Sequence, residues 1–175
     1  MLGKRPADVR TARPADIPRL AAVQLGSALT AFADIFPESV AKPQSAELEA
    51  EWMALADNPA STVLLAELEG SVVAGVAFGD VPVLAPAGHG LLAKLYVLPD
   101  HFGSGIGTLL YDSAIEHLRA AGWERAWLWV LEGNTTARGM YERRGWLPQP
   151  ERRTDWPGSG VFEMGYALDL VPLPA

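Results

Sequence analysis

The stretch from Leu91 to Leu110 constrains this chain more than any other. An apolar, strand-like run over Leu91–Val97 halts at Pro99, and a glycine-rich turn then opens straight into a helix. Gly103, Gly105 and Gly107 leave little side-chain bulk around the first helical turn. The first N–H groups of a helix have no partner within it, and the helix dipole adds partial positive charge there. A phosphate or pyrophosphate suits such a place. A P-loop would end in Gly-Lys-Ser/Thr, but Gly107-Thr108 lacks the lysine. A dinucleotide fingerprint would need glycine or alanine at Thr108 or at Leu110, so that spacing fails as well. Taken alone, the turn also fits a helix that simply starts after glycines.

A second segment, Trp127 to Trp146, reads as a strand, a turn with Asn134 near a helix start, a short helix, and Gly145 as its stop. Asn134 and Tyr141 lie two helical turns apart on one face. By itself Tyr141 also reads as a half-buried core tyrosine.

Together the two segments resemble the Gcn5-related N-acetyltransferases, the GNAT family. Leu95-Tyr96-Val97-x-Pro99 and Gly103-x-Gly105-Ile106-Gly107 look like the family's acetyl-CoA pyrophosphate loop, and Val130 to Trp146 looks like its next motif. The likeness runs in register from Ala66 to Leu168. One departure is Phe102, where the family usually has Gln or Arg. A side-chain contact to phosphate is then missing, while the backbone contacts remain.

The rest of the chain agrees with one mixed α/β unit. Val9–Ala12 reads as a strand. Ile17, Leu20, Ala21, Leu25, Ala28, Leu29 and Phe32 keep a helical period after Pro14-Ala15-Asp16. A second helix starts near Ser45 and ends at Asn58-Pro59. Thr62–Leu68 and Val72–Asp80 form a hairpin, and a Pro/Gly loop over Val81–His89 leads to the motif strand. A helix runs from Gly105 to Ala121, and a strand over Arg125–Leu131 carries Trp127 and Trp129 on one face. Pro148–Gly160 reads as a polar loop before a last strand, Val161–Leu168. The order is β-α-α-β-β-β-α-β-α-β-β. The resemblance implies a central, mostly antiparallel mixed sheet splayed into a V and flanked by about four helices. Residues 1–175 then make a single domain, with acceptor-side helices over 16–57 and an acetyl-CoA core over 91–146.

Composition narrows the chemistry. The 175 residues include no cysteine, which excludes disulfides and a cysteine acyl-enzyme. Three scattered histidines have no metal spacing, so no metal is expected. The N-terminal residues, Met1 to Asp8, are charged and have no apolar leader, and no apolar run is membrane-spanning in length. The expectation is a cytoplasmic protein, monomer or homodimer, without membrane partners. A net charge of −7 argues weakly against nucleic acid. Leu20–Ala93 holds nine acids and one base, Lys42, while Lys94 onward holds ten acids and eight bases. An acidic acceptor side would draw in a cationic amine, although the same pattern fits a merely solvated surface.

The resemblance also implies roles. Backbone groups of Leu95, Tyr96 and Val97 would hold the pantetheine arm, and the pyrophosphate would sit on Phe102, Gly103, Ser104, Gly105, Ile106, Gly107 and Thr108. Asn134 and Ala137 would reach the pantetheine, and Tyr141 would approach the sulfur. The reaction is direct attack of a primary amine on the thioester in a ternary complex. An ammonium pKa near ~10 calls for a base, and a leaving thiolate gains from a donor, for which Tyr141 is the candidate. The family often supplies a Glu at the position of Leu91, so the base stays open among Glu132, His89, Asp80 and water. The expected acceptor is a small, cationic amine. A protein α-amine or lysine, or a silent CoA-binding module, are the rival readings.

Overall fold

The computed structural model describes residues 7–156 and 158–171. Residues 1–6, part of the charged N-terminus, and Pro157 lie outside them. In chain order the elements are β1 (Asp8–Thr11), α1 (Ile17–Ala31), α2 (Ser45–Asp57), β2 (Ser61–Leu68), β3 (Ser71–Gly79), β4 (His89–Val97), α3 (Ile106–Ala120), β5 (Arg125–Leu131), α4 (Thr135–Glu142), β6 (Leu147–Trp156) and β7 (Val161–Asp169). The order of strands and helices is the expected β-α-α-β-β-β-α-β-α-β-β. The seven strands form one sheet, β1-β2-β3-β4-β5-β7-β6, in which only the β4–β5 pair is parallel.

Residues 147–156 correct the expectation of a polar loop over Pro148–Gly160. They form β6, paired antiparallel with β7 and interrupted by a register shift between Gln149 and Arg153. The sequence hides this strand because β6 is the sheet edge. Its side chains are almost all exposed, so no apolar alternation marks it. Pro148 and Pro150 are tolerated because an edge strand has N–H groups that need no partner strand.

Each sheet face has its own core. Ile17 and Leu20 of α1 and Leu48 and Trp52 of α2 pack on Leu65 and Ala77. On the other face Leu110, Ala114 and Leu118 of α3 pack with Leu128, Trp146 and Tyr166. The period-3.6 stripes of α1 and α3 are therefore the buried stripes. At the start of α1 the Arg10 guanidinium donates to Asp16 at 2.7 Å and to Glu67 at 2.8 Å, fastening β1, β2 and the helix entry together. That contact holds the Asp16 carboxyl down at about 2. In the middle of β7, Gly165 is required for packing. A Cβ there would come within 2.0 Å of the Trp127 ring, which lies flat against that strand's backbone.

Candidate active site

The site begins where the sheet fails to close. β4 and β5 pair only over His89–Arg125, Gly90–Ala126 and Leu91–Trp127. Beyond Leu91 the strands part, and the rest of β4 keeps an edge with no strand beside it. Leu98 N–H donates to Val73 O at 2.9 Å. Groups along an antiparallel ladder alternate in direction, so Tyr96 bonds toward β3 while the N–H and C=O of Leu95 and Val97 face the gap. The side chains alternate too. Leu95 and Val97 pack toward the α3 core, and Tyr96 toward the α1/α2 core.

At the C-terminal end of β4 the glycine turn leads into α3. Gly105 is the N-cap, in left-handed conformation with φ 88°, and Gly103 also has positive φ, 71°. Neither has any atom within 4 Å of where a Cβ would stand, so the turn is open to a ligand. Gly107 lets α3 approach β4, since its Cβ would lie 3.2 Å from Val97 Cγ2. The N–H groups of Gly103, Gly105, Ile106, Gly107 and Thr108 have no hydrogen-bond partner among the described residues. Phe102 and Ser104 differ. Phe102 N–H is spent on Pro99 O at 3.0 Å and Ser104 N–H on His101 O at 3.2 Å, so these two shape the turn rather than offer donors. The Phe102 ring is exposed. Arg144 Nη2 donates to Thr108 Oγ1 at 3.1 Å, which brings a cation to the same helix end.

Across the gap stands α4. Asn134 is its N-cap, and its Oδ1 accepts from Ala137 N–H at 3.1 Å. That bond occupies the Ala137 N–H and leaves the Asn134 amide nitrogen free to donate. Tyr141 is buried, its ring edge-on to Trp146 at 5.9 Å and tilted to Tyr111 at 6.4 Å. Its hydroxyl has no hydrogen bond among the described residues. Burial, then the neighbouring hydroxyls of Tyr96 and Tyr111, push its pKa above the ordinary tyrosine value. The group therefore stays protonated at neutral pH and has a proton to give.

On the α1/α2 side of the sheet a cavity of about 390 Å³ is lined by Trp127, Trp129, Arg152, Thr154, Glu163 and the loop Val83–Pro86. Trp129 Nε1–H donates to Leu84 O at 2.7 Å and ties that loop down.

The acetyltransferase (GNAT) family model matches residues 27–146, most of the chain. This chain belongs to that family. The match starts further upstream than the Ala66–Leu168 likeness and stops before β6 and β7. A mycothiol acetyltransferase of Thermobispora bispora is 34% identical over 84 residues, covering 46% of this chain and 28% of the relative. An uncharacterized N-acetyltransferase of Archaeoglobus fulgidus is 33% identical over 100 residues, covering 56% of this chain and 65% of the relative. The chain thus spans less than two thirds of these relatives' lengths. The PaiA N-acetyltransferase of Thermoplasma acidophilum, solved with coenzyme A, superposes with a TM-score of 0.70 at 19% identity, covering 92% of this chain and 98% of that one.

In this GNAT fold the three acid–base candidates from sequence fare differently from the cavity's own carboxylate. Glu132 is held by Arg153 in a two-point contact, Nε to Oε1 at 2.5 Å and Nη2 to Oε2 at 2.7 Å, which lowers its pKa. His89 stands edge-on to Trp127 at 5.7 Å. Asp80 follows β3, where its backbone bonds to Ala60 and Asn58. None of the three lines the cavity. Glu163 does, and no motif in the sequence singles it out. The signal appears only with register. Glu163 pairs with Leu131, two residues along β5 from Trp129, so all share the face of the tryptophans.

Proposed function

We propose that this chain transfers the acetyl group of acetyl-CoA to a primary amine of a small cationic molecule, by direct attack in a ternary complex. The observation that carries the reading is the unpaired edge of β4, which leads into the glycine turn with its five free N–H groups. The five free donors match a pyrophosphate at a helix N-terminus. The gap-facing groups of Leu95 and Val97 suit an extended pantetheine arm, and a backbone N–H there would polarise the thioester oxygen. The Asn134 side-chain amide is left to bind that arm.

Tyr141 is the proton donor to the departing sulfur. Its protonated state fits that role, at the thermodynamic cost of a pKa above that of a thiol. Glu132, kept as an anion by Arg153, is a weakened base. The cavity beside the loop 80–88, about 390 Å³, has room for a small amine.

A thiol-release screen with acetyl-CoA and a diverse panel of amines tests this. Release that depends on a cationic small amine is the expected result. Binding of acetyl-CoA with no amine-dependent release would overturn it in favour of a CoA-binding module, and release with basic peptides alone would reassign the acceptor.

A further inference from the structure

We propose that Glu163 is the acceptor carboxylate of this site: it receives the substrate's ammonium group in the cavity beside Trp127 and Trp129 and takes its proton. The inference deepens the function proposed above and rests on it.

The argument starts from placement. Glu163 lies on β7 between Leu131 of β5 and Thr154 of β6, on the cavity face of the sheet. It is partly buried, and among the described residues it has neither an ion-pair partner nor a hydrogen bond. A carboxylate at such a depth is usually paired. The other acids near this side are matched: Glu132 by Arg153 and Glu51 by Lys94 at 2.6 Å. An unpaired carboxylate at a cavity wall calls for a ligand that donates hydrogen bonds to it. An ammonium head meets the carboxylate, and the tryptophan faces favour a cation further.

The position also suits the chemistry. The charge of Glu163 is the strongest one felt at the Tyr96 hydroxyl, and Tyr96 in turn is felt at Tyr141. Glu163 faces the cavity on the α1/α2 side of the sheet, the side to which Tyr96 also turns. Burial raises its carboxyl pKa, which makes it a better base than a solvated glutamate. The charged group that shares its cavity is Arg152 of β6, and the charge of Glu163 is also felt at the Tyr96 hydroxyl of β4. In the step itself Glu163 removes one proton from R–NH₃⁺. The nitrogen lone pair forms the C–N bond to the thioester carbon and the C–S bond breaks. The second nitrogen proton reaches the thiolate by way of Tyr141, and Glu163 returns its proton to water.

Glu163→Gln keeps the shape and removes the charge. Its acetyl-CoA thermal shift should equal that of the wild type, which shows that the fold and the CoA site are intact. With the amine that gives most thiol release in the panel, kcat/KM should fall by ~10²-fold or more. Its pH profile should change as well. The wild-type acid limb, set by the carboxylate, should vanish, and the variant's rate should climb tenfold per pH unit toward ~10 as free amine appears. Retained kcat/KM with an unchanged profile would overturn the proposal.

A second arm does not need turnover. n-Butylammonium at neutral pH should shift the indole NMR signals of Trp127 and Trp129 in the wild type, n-butanol should not, and Glu163→Gln should abolish the shift. An equal response in wild type and variant, or none in the wild type, would sink the proposal. If no amine releases thiol, the function proposed above fails and the butylammonium arm alone decides the role of Glu163.

Discussion

At the scale of single residues, Tyr141 shows how one side chain can serve packing and chemistry together. Its ring fills the core between Tyr111 and Trp146, and its hydroxyl alone lacks a partner. Phe at this position keeps the ring and deletes only the donor. Tyr141→Phe should therefore fold normally and bind acetyl-CoA within a few-fold of the wild type. Its kcat should drop ~10²–10⁴-fold, the usual loss for a missing general acid. Rapid-quench measurement of the chemical step checks this. An unchanged rate would leave Tyr141 as a core tyrosine only. Glu132 illustrates the opposite case. A glutamate just past a motif strand attracts attention in the sequence, but the Arg153 fork has already claimed both of its oxygens. Nothing in the spacing of 21 residues between them announces that pair.

At the scale of elements, the strand–turn–helix unit of β4 and α3 carries the cofactor prediction. Acetyl-CoA at ~100 times its dissociation constant should stabilise the fold by about 2.7 kcal/mol. Gly105→Glu would set a carboxylate among the free N–H groups. Gly105→Asn is the control, because asparagine tolerates the left-handed conformation of this N-cap. The thermal shift should persist with Asn and disappear with Glu. A wild-type shift in Gly105→Glu would move the pyrophosphate elsewhere. The sequence discloses this unit because its signals are local: an apolar run ending in Tyr96-Val97, a proline stop, glycines, then an apolar stripe of period 3.6. The α1 stripe and the β2–β3 hairpin are legible for the same reason. β6 and the cavity are not. β6 exists because β7 offers it an edge, and β7 itself inserts between β5 and β6, out of chain order. Glu163 gains its meaning only from that insertion, which sets it on the face of Trp127 and Trp129. Long-range register is the information that a local pattern does not hold.

At the scale of the whole molecule, charge is divided unevenly between the two halves of the chain. Of the nine acids in Leu20–Ala93, Glu51 is matched by Lys94 and Glu67 by Arg10, and the other seven have no ion pair among the described residues. Glu38, Glu47, Asp57 and Glu69 are exposed, so their field reaches solvent. Such a field gathers cations and repels anions over roughly a Debye length, about 10 Å at 0.1 M salt and 3 Å at 1 M. The acceptor prediction is therefore a prediction about salt. For a cationic amine, kcat/KM should fall severalfold as ionic strength rises from ~0.02 M to ~0.5 M, mainly through KM, because the field acts on encounter and binding rather than on the thioester. Acetyl-CoA is an anion, and in the proposed site it meets the N–H donors of the glycine turn and Arg144, so its own KM at saturating acceptor should follow a different salt curve. Glutamate, an amine with net negative charge, should be a poor acceptor throughout. Steady-state kinetics for both amines across that salt range decide the matter. A flat response for the cation, or glutamate as the better acceptor, would reduce the acidic half to a solvated surface, and the acceptor would then be selected inside the cavity by Trp127, Trp129 and Glu163 alone.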